Sequence, residues 1–281
     1  MPTYNTPTPI DLAINLQVGA IEVFAGDRAD TVVTVSPTSP GKTVDRRGAE
    51  ETKVDFDGQR LTIVGPRPRV VVFGPNESID VKVEVPTGSR LTAEVSVGGL
   101  RTAGRLGATR IKGSLGAASI EATGDLWLRN SHGSVAVGSA DGTAEITADH
   151  GQIRLGTITG DTTVKASHGN LTVERVGGDL DAKLSYGDLD VAHAEGSVTA
   201  KTAYGNLTLD EVSAGSIELD SGFGEVTVGV RPGVAAWLDL SSKKGHVRNQ
   251  LDSDAAPAAG DQSVSVRVRT QFGNITVSRA K

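Results

Sequence analysis

"SHGNLTVERVGGDLDAKLSYGDLDV", residues 167–191, contains its own echo. Ser-His-Gly-Asn-Leu-Thr-Val returns eighteen residues later as Ser-Tyr-Gly-Asp-Leu-Asp-Val. Working outward, a glycine followed by a polar residue and then apolar, any, apolar recurs at Gly133, Gly151, Gly169, Gly187 and Gly205, always 18 apart, and once more at Gly224. A second series with the same downstream pattern is interleaved at Gly124, Gly142, Gly160, Gly178, Gly196 and Gly215. Each unit therefore carries two short strands.

Side chains alternate across a strand, so the first strand of successive units puts Val135/Val137, Ile153/Leu155, Leu171/Val173, Leu189/Val191, Leu207/Leu209 and Val226/Val228 on one face. The second strand does the same with Leu126/Leu128, Ala144/Ile146, Leu180/Ala182 and Ile217/Leu219, while Ile158, Val176 and Val212 fill the bend. Thr162 interrupts the apolar row. A fixed period with two strands per unit predicts an all-β chain built as a β-solenoid (β-helix) of about 18-residue two-strand coils. One coil buries too little to fold alone, so the repeat is explained by stacking before any function is invoked.

The rhythm weakens upstream through Gly116, Gly107 and Gly98, which places the first coils near residue 92. Residues 1–91 read as an N-terminal antiparallel β cap, with strands at Ile10 to Val18, Ala20 to Phe24, Thr31 to Val35, Lys53 to Phe56, Arg60 to Val64, Val70 to Phe73 and Ile79 to Val85. Open strand edges invite polymerisation, which gives a cap a physical purpose. Residues 92–230 hold the repeats. Residues 231–281 form C-terminal coils and a closing β segment, with a polar loop at Asp252 to Gln262 and a last aromatic-glycine motif at Gln271-Phe272-Gly273.

Composition narrows the function. With 37% hydrophobic and 4% aromatic residues, the core is lean, and a net charge of −6 offers no broad basic field for nucleic acid. No run of 18 apolar residues spans a bilayer. Met1-Pro2-Thr3-Tyr4-Asn5 has neither a basic start nor an apolar signal core, so a cytoplasmic location is expected unless a signal has been removed. The absence of cysteine excludes disulfides and thiolate metal sites.

The sharpest constellation is the residue just before each first-strand glycine: His132, His150, His168, Tyr186, Tyr204 and Phe223, one per coil. At the spacing of paired strands, about 4.8 Å, they form a column. A flat aromatic strip suits sugar rings and imidazoles suit a metal, whereas a stacking ladder closing one corner of the core needs no ligand. Alternation from Ile146 through Ala148 to His150 points the rings inward and favours the ladder. Column neighbours point the same way, while tetrahedral zinc needs converging ligands, so no metal is expected.

Asp179, Asp181, Asp188 and Asp190 fall on outward positions of one coil. Such carboxylates suit calcium or the acid/base pair of glycoside cleavage. A solvated face, partly neutralised by the outward column Lys165, Lys183 and Lys201, is the plainer expectation, and no catalytic residue is assigned. Asn170, Asn206 and Asn274 head Asn-x-Thr sequences matching the glycosylation acceptor, and are equally Gly-Asn turns before a strand. No phosphate loop, dinucleotide fingerprint, nucleophile elbow or zincin motif occurs.

The tandem Gly-polar-apolar-any-apolar units, "VPTGSRL" at 85–91, "GVAAWLDLSSKKGHVRNQLD" at 233–252 and the terminal "QFGNITV" together resemble a bacterial putative-adhesin β-strand-repeat family common in actinobacteria. The resemblance implies a β-solenoid without established catalytic residues. The leading expectation is a non-enzymatic, cofactor-free structural or interaction module binding an unknown protein or polysaccharide. A carbohydrate-active solenoid enzyme using surface carboxylates, and a self-assembling cytoplasmic scaffold, are the alternatives.

Overall fold

The 18-residue period is realised as one turn of chain per repeat. In the computed structural model, which describes residues 2–66, 77–251 and 263–280, strands Leu171–Val176, Leu189–Ala194 and Leu207–Val212 pair in parallel, with Leu171, Leu189 and Leu207 as successive Cα partners. All three leucines are fully buried. The chain divides into two compact units, 1–139 and 140–281, a boundary inside the expected repeat region. The expected strand at 70–73 and the expected loop at 252–262 lie outside the described residues.

In the second unit each coil gives one strand to each of two sheets. Ala144–His150, Thr162–His168, Leu180–Tyr186, Val198–Tyr204 and Gly215–Phe223 pair in parallel in chain order. The opposite sheet runs from Ile153–Ile158 through Leu171–Val176, Leu189–Ala194 and Leu207–Val212 to Val226–Val230. Ile146, Val164, Ala182 and Ala200 from one sheet and Val173, Val191 and Leu209 from the other are buried, so the alternation read from the sequence is the alternation of the core. Thr162 is buried among them, with its hydroxyl 3.5 Å from the Gly160 carbonyl.

The C-terminal segment finishes this unit by insertion, which corrects the expectation that the last strands lie outermost. Ser263–Phe272 pairs with Gly215–Phe223 on one side and Ala235–Lys244 on the other. Ile275–Arg279 likewise separates Val226–Val230 from Val247–Asn249. The earlier coil, 235–249, is thus outermost and the later one sits beneath it. Burial explains the exchange: Val264, Val266, Val268, Ile275 and Val277 offer a dry row that is covered on both sides, whereas Leu238 and Leu240 are half-buried and Val247 exposed.

The first unit shows the same device at its own end. Asp11–Val18 lies between Arg60–Val64 and Arg90–Val97, and Ile21–Gly26 between Ile79–Pro86 and Leu100–Arg105, all parallel. The first coil therefore begins near residue 11, not 92, and these two segments are not part of the antiparallel cap. The cap itself is present: Thr3–Asn5 pairs antiparallel with Asp30–Pro37, Asp30–Pro37 with Ile79–Pro86, and Lys53–Phe56 with Arg60–Val64. Alternation reports that one face is buried; it does not report the direction of the neighbouring strand.

The helix at Thr43–Glu51 was not anticipated. Its run of Arg46, Arg47, Ala49, Glu50 and Glu51 has good helix propensity and no strand alternation, the only signal the sequence carried. Asp45 anchors it, buried, with its two carboxylate oxygens accepting from the Ser39 and Ser78 backbone amides at 3.2 and 3.1 Å.

Candidate functional site

Each ring of the predicted column is the last residue of its strand and precedes a glycine of positive φ, among them Gly169 (139°) and Gly187 (150°). The turn is closed to any other residue, because a Cβ on Gly169 would lie 2.0 Å from the Gly151 carbonyl oxygen and one on Gly187 2.1 Å from that of Gly169. Locked turns hold the rings in register. His150 pairs with His168, His168 with Tyr186, Tyr186 with Tyr204, Tyr204 with Phe223 and Phe223 with Phe272.

The rings stack at centroid distances of 4.8, 5.0, 5.0, 4.9 and 4.6 Å, with planes within 8° of parallel. Phe272 extends the column beyond the six residues singled out for it from the sequence, and the aromatic-Gly-Asn shared by Tyr204-Gly205-Asn206 and Phe272-Gly273-Asn274 was its signal. Lys244 caps it, with Nζ 5.2 Å from the Phe272 centroid. His132 belongs to the first unit, where its Cα partner is the exposed Leu115, itself paired with the exposed Val97.

The column faces outward, which corrects the inward ladder. Tyr186 is 50% exposed, Tyr204 47%, Phe223 42% and Phe272 39%, and the histidines are exposed too. The reason lies two residues upstream, at the last inward position of each strand. There Thr202, Ser221 and Thr270 are buried and donate to the carbonyls of Gly187, Gly205 and Gly224, as Asn130 does to Gly116. In these strands the core has already turned polar to hold the turn of the preceding coil, and Ala148, Ala166 and Leu184 end the buried row in the others, so another step of alternation passes its rim. Ring faces cover one another, so the column meets solvent along its ring edges.

The four aspartates do not form a cluster. Asp179 and Asp181 flank or belong to Leu180–Tyr186, while Asp188 and Asp190 lie at or on Leu189–Ala194 in the opposite sheet. Two of them tie coils together: Asp179 Oδ1 accepts from the Ser197 amide at 2.8 Å and Asp188 Oδ1 from the Asn206 amide at 2.7 Å. Asn170, Asn206 and Asn274 do the same for Asp188, Glu225 and His246, so the glycosylation-like asparagines are rungs of a turn ladder. Asp181 pairs with Lys183 at 3.0 Å. Burial, and then the charge of Asp188, raise the Asp190 carboxyl above its usual range, against a hydrogen bond from Thr208.

A pocket of about 620 Å³ opens on the opposite sheet beside His193, Asp210 and Glu211. Glu211 Oε1 lies 3.9 Å from His193 Nδ1 in the same wall and 3.9 Å from Arg231 Nε. Among the described residues no three His, Asp or Glu side chains converge as a metal site requires, and no helix is long and apolar enough to cross a membrane.

Comparison with known proteins gives a family and distant likenesses. The family model described as Toastrack DUF4097 matches residues 11–278. A putative adhesin from Bacteroides fragilis NCTC 9343 is 13% identical, over 98% of this chain and 95% of that one, with a TM-score of 0.39. A putative cell adhesion protein from Clostridium sporogenes ATCC 15579 is 12% identical over 99% and 98%, TM-score 0.21. A putative adhesin from Parabacteroides merdae ATCC 43184 is 12% identical over 100% and 96%, TM-score 0.28. No curated protein sequence matches the chain.

Proposed function

From the premise that this chain belongs to the Toastrack DUF4097 family, we propose that it is a non-enzymatic, adhesin-like interaction module whose contact surface is the exposed ring column. The observation that carries this reading is the solvent exposure of a continuous stacked row, His150 to Phe272, held in place by glycine turns. An aromatic strip left in water gains free energy when a partner covers it. Since the faces are used up in stacking, the partner meets a ribbed line of edges, suited to a linear polymer or an extended protein segment. The carboxylates support catalysis poorly, because they diverge to opposite sheets and two are engaged with backbone amides.

A glycan and polymer array probed with the full chain tests this. At least one polymer should be retained, and the double substitution Tyr186→Ser/Tyr204→Ser should release it. Breakdown of a retained polysaccharide by the parent, lost in Asp188→Asn, would sink the reading in favour of an enzyme.

A further inference from the structure

The outermost coil of the second unit, 235–249, forms the edge of both sheets. Elsewhere in this unit the inward-facing residues give their amides to the coil stacked on them: Leu180 donates to the Ser197 carbonyl, Leu189 to that of Asn206 and Val226 to that of Asn274. In Ala235–Lys244 the inward positions are Ala236, Leu238, Leu240 and Ser242, and among the described residues no strand lies beyond them to accept.

This edge is ten residues long, free of proline, and in unbroken register with its inner neighbour from Ala235 to Ser242. A long regular edge is a template for a further strand, and proteins blunt those they leave open with short strands, bulges or proline. The edge strands of the first unit, Thr3–Asn5 and Lys53–Phe56, are three and four residues long. The long edge of the second unit is not blunted in this way, and with it Leu238 and Leu240 stay half-buried and Val247 45% exposed.

Charge identifies the occupant. On the outward face Glu218, Arg267 and Asp239 are consecutive partners of alternating sign, with Arg267 at 3.5 and 3.4 Å from the two carboxylates. Asp239 ends the row; it also holds Arg269 at 2.6 Å, and its side chain is still 56% exposed. The next strand has to bring a cation opposite it to continue the alternation. Four residues along the same strand, Lys243 is outward and exposed, and among the described residues it forms no ion pair. A second copy of this strand, antiparallel and centred on Ser241, sets Lys243 opposite Asp239 and Asp239 opposite Lys243. Leu240 and Ser242, whose amides are unused, become hydrogen-bonded pairs of the new ladder, and Ser241 meets its own copy in a non-hydrogen-bonded pair.

We propose that two copies of this chain dimerise by pairing Ala235–Lys244 antiparallel about Ser241, joining their sheets edge to edge. Both copies use the same patch, so the contact is two-fold and closes at two. Head-to-tail growth would have to match this edge to Thr3–Asn5 or Lys53–Phe56, which are too short for it. Trp237 lies beyond the paired stretch, and its ring stays in water. The contact is separate from the ring column and stands whether or not that column binds a polymer.

The chain has no cysteine, so Ser241→Cys introduces a single thiol. Cα atoms of a non-hydrogen-bonded pair lie about 4.5 Å apart, within the span of a disulfide. Mild oxidation of the full-length variant should therefore give a disulfide-linked dimer, whereas Lys201→Cys, outward and exposed three strands inside the edge, should not. In sedimentation the parent should be a dimer. Lys243→Asp, which sets carboxylates opposite one another at both ends of the pairing, should weaken it roughly tenfold or more, while Lys243→Arg retains it. Because Lys243 has no ion pair within its own chain, the melting temperature of dilute Lys243→Asp should match that of the dilute parent, which separates lost pairing from lost folding. A parent that sediments only as a monomer, polymers in place of a dimer, equal cross-linking through Ser241→Cys and Lys201→Cys, or an undiminished dimer in Lys243→Asp would each overturn the proposal.

Discussion

The rings of Tyr186 and Tyr204 stack 5.0 Å apart with planes 1° from parallel, and the two residues are Cα partners in adjacent strands. Backbone pairing sets that separation, so stacking is a by-product of register that side-chain attraction then reinforces. Tyr186→Ala and Tyr204→Ala are each expected to cost about 1 kcal/mol, with a coupling of about 0.5–1.5 kcal/mol in the double-mutant cycle. Denaturant unfolding of the four proteins measures it. Coupling near zero would show that the backbone alone aligns the rings.

The turns should be far less tolerant than the column. Gly169 has φ 139° and no room for a Cβ, so Gly169→Ala is expected to cost about 3 kcal/mol or more. Gly58 has φ 101° but open space around it, and Gly58→Ala should cost only about 1–2 kcal/mol, the left-handed backbone penalty. Similar losses in melting temperature for the two would mean that neighbouring coils do not pack as tightly as described.

Core and edge should separate just as clearly. Leu189 is fully buried between its Cα partners Leu171 and Leu207, and Leu189→Ala is expected to cost about 2–5 kcal/mol. Trp237, on the outermost strand, is 72% exposed, and Trp237→Ala should change stability by no more than about 0.5 kcal/mol. A large loss at Trp237 would reveal that the outer coil is covered in solution.

Asp190 predicts a pH dependence. Its carboxyl is raised by burial and by Asp188, so the folded state disfavours the ionised form. The folded state then binds more protons than the unfolded state between the two pKa values, and stability falls as pH rises through the usual carboxylate range and up to the raised value. Asp190→Asn should therefore stabilise the protein at neutral pH, and the gain should disappear in acid, where the carboxyl is protonated in both states. Melting temperatures of parent and variant across pH check it; a gain that persisted below the carboxylate range would point to a cause other than charge.

Much of this was legible from residues alone. The glycines at a spacing of 18, the inward rows at Leu171, Leu189 and Leu207, and the one-ring-per-coil column all follow from local periodicity, because every coil repeats the same local problem. The aspartates were legible as residues but not as roles: nothing local says that the Asp188 carboxylate holds the Asn206 amide of the next coil. The outward turn of the rings was half legible. Thr202, Ser221 and Thr270 already placed polar groups at the last inward position, but their glycine partners sit in other coils.

By itself, then, the sequence determined the period, the two strands per coil and which side chains line the interior, since side-chain alternation and glycine turns act over a few residues. Only the tertiary structure decided which coil lies next to which. Coil 263–279 slips beneath coil 235–249, and coil 11–26 lies inside strands that follow it in the chain, because a strand takes the place where both of its neighbours bury its apolar row, and that depends on partners far away in sequence.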